Sequence, residues 1–253
     1  MTDGVLGATL DGGVLTLTLN RPDKRNALSA ELIEAVHAEL DRADLDAGVR
    51  VVLIRGAGKD FCAGADLAEL LASADRALDE NERDARRLGG LFERIRLLPK
   101  PVIAAVHGRA LAGGAGLATA CDLVVAGASS QIGYPEIERG FVPAMVMTIL
   151  RRLVGERVAF DLVATGRVLG AEEARQLGLV TRVVPDDGVA GEAGAIADRM
   201  AAGSATALAL SKQLLYDLDG LSFSDGIALG ARVNAAARAT PDFSSAIARF
   251  LQR

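Results

Sequence analysis

The sequence predicts an α/β fold in which parallel strands are joined through helices, and three observations predict it. Two β-branched runs, Val49 to Ile54 and Val102 to Val106, are each followed by a glycine-rich loop and then a helical pattern. Leu123 to Ala126 returns as a further strand, and repeated strand, turn, helix, strand units are the mark of parallel crossovers. From Val189 onward alanine-rich helical periodicity replaces the β signal. We therefore expect a core over residues 1–190 and a C-terminal helical region over 191–253, suited to packing on a neighbouring subunit.

Each element follows from local pattern. Between Gly13 and Asn20, Val14, Thr16 and Thr18 alternate with Leu15, Leu17 and Leu19, a strand buried on at least one face, and Arg21-Pro22 ends it. Ser29 is placed to cap a helix whose Leu32, Val36 and Leu40 share a face, which leaves His37 as a solvated helix residue. A helix is expected from about Asp66. Ala74 to Arg96 is rich in charge yet keeps Leu88, Leu91, Phe92 and Ile95 at helical spacing, as in a largely exposed helix or lid. Pro101 to Ala120 is apolar, but His107, Arg109 and four glycines interrupt it, so it reads as strand, turn and helix rather than a membrane span. Gly220 and Pro241 break the C-terminal helices.

Composition excludes several classes of function. The chain has 253 residues, 50% of them hydrophobic and 24% charged, which suits a globular protein with a large core. Its formal net charge of −5 comes from interspersed acids and bases, with no basic stripe for a nucleic acid. Cys62, Cys121, His37 and His107 build neither a disulfide framework nor a zinc site, which fits a reducing cytoplasm. Asp3 and Asp11 near the N-terminus argue against a signal peptide. Gly113-Gly114-Ala115-Gly116 does not fit GxGxxG, and Gly56-Ala57-Gly58-Lys59-Asp60 lacks the frame of a P-loop, so nucleotide-phosphate motifs fall away.

What remains for the glycines is main-chain chemistry. N–H groups in the first turn of a helix lack intrahelical acceptors and favour negative charge. Helix starts near Ala65 and Gly113 could together hold one oxygen, and for a carbonyl becoming an enolate each donor is worth on the order of 3 kcal/mol. Close helix–strand packing that tolerates no Cβ explains the same glycines, and periodicity alone leaves both readings open.

The ordered motifs then carry a resemblance. Leu19-Asn20-Arg21-Pro22 with Asn26-Ala27-Leu28, Phe61 to Leu67, Lys100 to Gly108 with Gly113-Gly114, Cys121-Asp122, and Gly133-Tyr134-Pro135-Glu136-Ile137 resemble the enoyl-CoA hydratase/isomerase (crotonase) superfamily. Thr165-Gly166-Arg167 and Ala174 to Val180 extend the similarity over nearly the whole chain. The resemblance implies a spiral of ββα turns with a helical trimerisation region, assembled as a homotrimer or dimer of trimers. It implies that the N–H groups of Ala65 and Gly113 bind an acyl-CoA thioester oxygen. Asn26, Ala27, Leu28, Ala63, Asp66 and Leu67 would line the coenzyme, while Gly114, Gly116, Phe141 and Met145 would complete the substrate-binding set. No metal and no cofactor beyond the coenzyme A of the substrate is expected.

One departure bears on mechanism. Hydratases of the superfamily typically carry two glutamates, and the matching positions here are Gly116 and Glu136. Hydration uses acid–base work that two carboxylates share well, whereas moving a double bond between C3 and C2 needs only one. Hydration and isomerisation therefore stand almost level, with Glu136 as the acid/base in both. Phe141, Val142, Met145 and Met147 are the expected source of its desolvation. Glu138 shares the face of Glu136 only if the segment stays extended; otherwise it is a solvated charge. A non-catalytic acyl-CoA binder, or a decarboxylase or hydrolase that orients a substrate carboxylate with Arg109, are the other readings, although a surface ion pair is the simpler role for Arg109. Lys212 resembles a lysine of the family's C-terminal helices, and the end at Phe250 to Arg253 falls short of the basic tail of many members.

Overall fold

A computed structural model describes residues 4–252; Asp3 and Arg253 lie outside the described residues. The strands are β1 (Leu6–Asp11), β2 (Val14–Leu19), β3 (Val51–Gly56), β4 (Val102–Val106), β5 (Arg109–Leu111), β6 (Leu123–Gly127), β7 (Gln131–Gly133), β8 (Val168–Gly170) and β9 (Arg182–Val184). The helices are α1 (Ala30–Leu45), α2 (Leu67–Ala72), α3 (Leu78–Leu97), α4 (Gly113–Ala120), α5 (Ala144–Thr165), α6 (Ala171–Gln176), α7 (Val189–Ala201), α8 (Ala205–Asp217), α9 (Phe223–Arg238) and α10 (Pro241–Leu251). Six strands form one sheet in the order β1-β2-β3-β4-β6-β9. All its pairings are parallel except the β1–β2 hairpin, as the crossover pattern requires. A second sheet runs β5-β7-β8.

The two-residue period of a strand sorts the core into two layers. Val52 and Ile54 of β3, Val102, Ala104 and Val106 of β4, and Val124 and Ala126 of β6 join the large cluster that also takes in α1, α3, α4 and α5. Their neighbours Val51, Leu53, Ile103, Ala105 and Val125 face the other way, onto Val189, Ala193, Ile196 and Ala197 of α7. Helix α7 lays its apolar face on the back of the sheet and so packs within this core layer. Helix α4 is buried over its whole length, as a helix without a polar face must be.

Ser29 caps α1 as expected, its Oγ accepting from Leu32 N, and Leu32, Val36 and Leu40 are fully buried. Strand β1 and the three-residue strands carried too little alternation to be read in advance. Helix α8 docks through the buried Lys212, whereas α9 and α10 have no fully buried residue among the described residues. Among the described residues no helix is long and apolar enough to cross a membrane, and no cluster of three or more His, Cys, Asp or Glu side chains is placed to hold a metal ion.

Candidate active site

Two main-chain turns meet at the front edge of the buried helix α4. Leu28 and Ala65 form an isolated parallel bridge in which Leu28 N donates to Gly64 O at 2.8 Å and Asp66 N donates to Leu28 O at 3.1 Å. That pairing uses the groups on either side of Ala65 and leaves the Ala65 N–H directed away from Leu28. Gly113 is the first residue of α4, so its N–H has no intrahelical acceptor. The turns interlock at Gly64, which has φ +100: a methyl added there would stand 2.8 Å from the Ala112 methyl and 3.5 Å from Gly113 N. A methyl on Gly113 would stand 3.4 Å from Leu28 Cδ1, 3.7 Å from Leu88 Cδ2 and 3.8 Å from Ala65 N. Ala65 and Gly113, far apart in sequence, are therefore brought side by side, with Leu28 and Leu88 next to them.

A separate main-chain link leads from this region toward Glu136. Ala112 N donates to Gly133 O at 2.8 Å, which ties the turn before Gly113 to the strand that leads through Tyr134 and Pro135 to Glu136. Glu136 is 7% exposed and its buried Oε2 has no hydrogen-bond partner among the described residues. Burial raises the pKa of its carboxyl above the ordinary carboxylate value, while its own main-chain N–H and the Arg139 guanidinium pull the other way. The fully buried Tyr134 beside it has its phenol pushed up as well, chiefly by burial, and keeps its proton. Residues Pro135–Arg139 form a 3₁₀ turn, not an extended segment, so Glu138 does not share the face of Glu136 and lies exposed. Phe141 and Val142, the expected desolvating groups, are 46% and 60% exposed; the turn carries them outward. Met145 and Met147 are half-buried against the core.

The sequence pattern of enoyl-CoA hydratase/isomerase matches residues 9–253. The chain belongs to the enoyl-CoA hydratase/isomerase family. It is 39% identical over 241 residues to 2,3-dehydroadipyl-CoA hydratase of Escherichia coli, covering 95% of this chain and 92% of that one. It is 45% identical over 242 residues, 96% of both chains, to a Thermus thermophilus protein whose designation as an enoyl-CoA hydratase is itself provisional. The crystal structure of an enoyl-CoA hydratase from Mycobacterium smegmatis superposes with a TM-score of 0.94 at 33% identity, over 99% of this chain and 97% of that one. The fold is accordingly the crotonase fold.

Within this family frame, the glycine at 116 acquires a physical meaning. A Cβ there would stand 2.9 Å and 3.1 Å from the Phe92 ring and 3.1 Å from Val146 Cγ1, and both side chains are buried. The space that a side chain would need is already filled. Gly114 is likewise confined, since a Cβ would lie 2.2 Å from Cys62 O. Met145 rests on Gly89 of α3, with its Cγ 3.1 Å from where a methyl would stand.

The expected coenzyme-lining segments are brought together, but two of their side chains are spent internally. Asn26 Nδ2 donates to Ala57 O and Asp60 O, both at 2.8 Å, and its Oδ1 accepts from Arg21 N at 2.9 Å. Asp66 caps α2 through Ala68 N and pairs with Arg21 at 2.9 Å, and that hydrogen bond chiefly holds its carboxyl below the ordinary range. Arg21 also donates to Ala27 O. Ala27 and Ala63 are half-buried and their N–H groups donate to Lys24 O and Arg25 O, both at 3.0 Å, so that of these residues Leu67 alone presents an exposed side chain.

The remaining candidates divide cleanly. His37 is half-buried, not solvated, with Nε2 3.1 Å from Arg87 O, because α3 lies over its helix. His107 Nε2 lies 3.0 Å from Gly58 O. Arg109 is exposed; its main-chain N–H donates to Asp60 Oδ1 at 3.0 Å and its C=O accepts from Cys62 N at 3.0 Å. Leu88, Phe92 and Ala112 are the residues that sequence reasoning did not assign to the site. The first two read only as a helix face, and nothing in a string of letters marks a positive φ at alanine.

Proposed function

We propose that the protein adds water across the double bond of a 2-enoyl-CoA, with the thioester oxygen held between the N–H groups of Ala65 and Gly113. As the water oxygen bonds to C3, Glu136 takes its proton. The π electrons move toward C2 and the thioester carbonyl, and the resulting enolate is stabilised by the two amides. The same carboxyl then returns the proton to C2. The observation that carries the reading is the proximity of the Ala65 and Gly113 amides, linked through Ala112 and Gly133 to the segment of a buried carboxyl whose Oε2 has no hydrogen-bond partner among the described residues. The names of the relatives favour hydration as the outcome.

Position 116 favours a second reading. With no acid there and its space taken by Phe92 and Val146, one carboxylate must do all the proton transfer. That suffices for moving a proton from C2 to C4 and so a double bond from C3 to C2. Crotonyl-CoA hydration and 3-enoyl-CoA isomerisation, assayed side by side, decide between them. Hydration that falls about 10²–10⁴-fold in Glu136→Gln supports the leading reading. Faster isomerisation with the same dependence supports the second, and tight acyl-CoA binding without turnover of either substrate overturns both in favour of a binding protein.

A further inference from the structure

We infer that Ala112 is a positioning residue for thioester activation: its main chain aims the Gly113 amide, and its methyl sets the spacing between that amide and Ala65. The inference rests on the function proposed above.

Three observations carry it. The first is conformational. Ala112 has φ 51 and ψ −125, whereas the left-handed region that non-glycine residues visit lies near positive ψ. An alanine held in this region is strained unless the surroundings over-determine it. They do: its N–H donates to Gly133 O at 2.8 Å, and its C=O accepts from Gly116 N at 3.0 Å, closing the first turn of α4.

The second is geometric. A peptide plane is oriented by the residue before its nitrogen, so ψ of Ala112 fixes where the Gly113 N–H points, as ψ of Gly64 does for Ala65. These two orienting residues are in contact. A methyl on Gly64 would lie 2.8 Å from the Ala112 methyl, which therefore fills the space directly over Gly64.

The third is a contrast of side chains. Glycine at 112 would adopt this conformation without the steric cost that alanine meets. The main chain therefore gains nothing from the methyl. What the methyl provides is the contact with Gly64, a spacer between the two amide-bearing turns. Through the Gly133 bond the same residue also connects that pair to the segment carrying Glu136.

The test uses the full chain as wild type, Ala112→Gly and Ala112→Ser. It measures kcat, KM, Tm and the red shift of an electron-rich aryl-conjugated enoyl-CoA, whose absorption reports polarisation of its carbonyl. Removing the methyl should lower kcat between about tenfold and a hundredfold while KM changes little, since only the orientation of the donors is degraded. The red shift should shrink, and Tm should hold or rise by about 2–4 °C as strain is relieved. Ala112→Ser, which keeps the β-carbon, should retain the larger share of both kcat and red shift. Ala112→Gly with the wild-type kcat and red shift would overturn the inference, as would a loss of activity that only follows a loss of folded protein. Turnover and red shift in wild type keep the proposed function standing whichever way the variant behaves; their absence in wild type removes that function and this inference together.

Discussion

Glu136 is held in a place that suits its proposed chemistry and not the stability of the fold. Burial raises the pKa of its carboxyl, so the folded state binds the proton more tightly than the unfolded chain does. Its favourable contribution is therefore complete below the ordinary carboxylate range and disappears as pH rises through the elevated folded value. Glu136→Gln, which removes the charge and keeps the shape, should raise stability at pH 7–8 by on the order of 1 kcal/mol, read as a Tm gain of about 2–4 °C. The gain should vanish below about pH 4, where wild type is protonated in both states. A Tm unchanged or lowered at neutral pH would contradict this account of the site. Gly116 makes the opposite argument. Gly116→Glu should not add a second working acid, because its Cβ meets Phe92 and Val146 at 2.9–3.1 Å. Overpacking should cost about 1–3 kcal/mol, with no gain in hydration rate. Adding Phe92→Ala should restore part of the lost stability, and thermal melts of the single and double variants together with crotonyl-CoA rates check both statements.

Helix α8 shows how one element is fastened by few groups. Lys212 is 8% exposed; its Nζ pairs with Asp122 at 2.7 Å and donates to Ile95 O at 2.8 Å and Lys100 O at 3.0 Å. Ile95 O belongs to the last turn of α3, where carbonyls lack helical partners, so the lysine satisfies a helix end as well as a carboxylate. Tyr216 Oη donates to Asp122 at 2.7 Å, and the Arg96 guanidinium lies 3.9 Å from the Tyr216 ring centroid. Removing one partner of such a buried pair leaves the other charge uncompensated, so Lys212→Ala should lower stability by about 3–5 kcal/mol in chemical denaturation. A loss below about 1 kcal/mol, the scale of an exposed pair, would show that water reaches the site. At this scale much was legible. The β-branched runs, the Ser29 cap and the spacing of Leu88 to Ile95 each announced an element, because period and capping are local. The 3₁₀ turn at Glu136 was not legible: Pro135 permits either an extended or a turned segment, and the choice is made by the buried Tyr134 and the core around it. The carbonyl partners of Lys212 were equally hidden, since Ile95 and Lys100 lie 117 and 112 positions away.

Across the whole molecule the apolar surface is divided unevenly. The central strands β3, β4 and β6 are covered on both faces, yet the C-terminal helices carry apolar groups that the described residues leave exposed. Phe223 and Ile227 lie one turn apart on α9, and Phe243, Ile247, Phe250 and Leu251 recur on one side of α10. Phe223 and Phe250 are 88% and 73% exposed. Contiguous apolar faces of this kind mark surfaces that another protein covers. Periodicity alone gave helices here, and only the resemblance to the family gave an assembly, because the distinction between a core face and an interface is not a local property. We expect the chain to form a homotrimer or a dimer of trimers through this region. Light scattering at micromolar concentration should return three or six times the protomer mass. Phe223→Glu and Phe250→Glu should each shift that value downward, because burying an unpaired carboxylate in the interface is more costly than solvating it. The helical content by circular dichroism should hold, since neither side chain packs on its own subunit. A wild-type protein that remains monomeric under these conditions would refute the assembly and leave the exposed faces of α9 and α10 to a different partner.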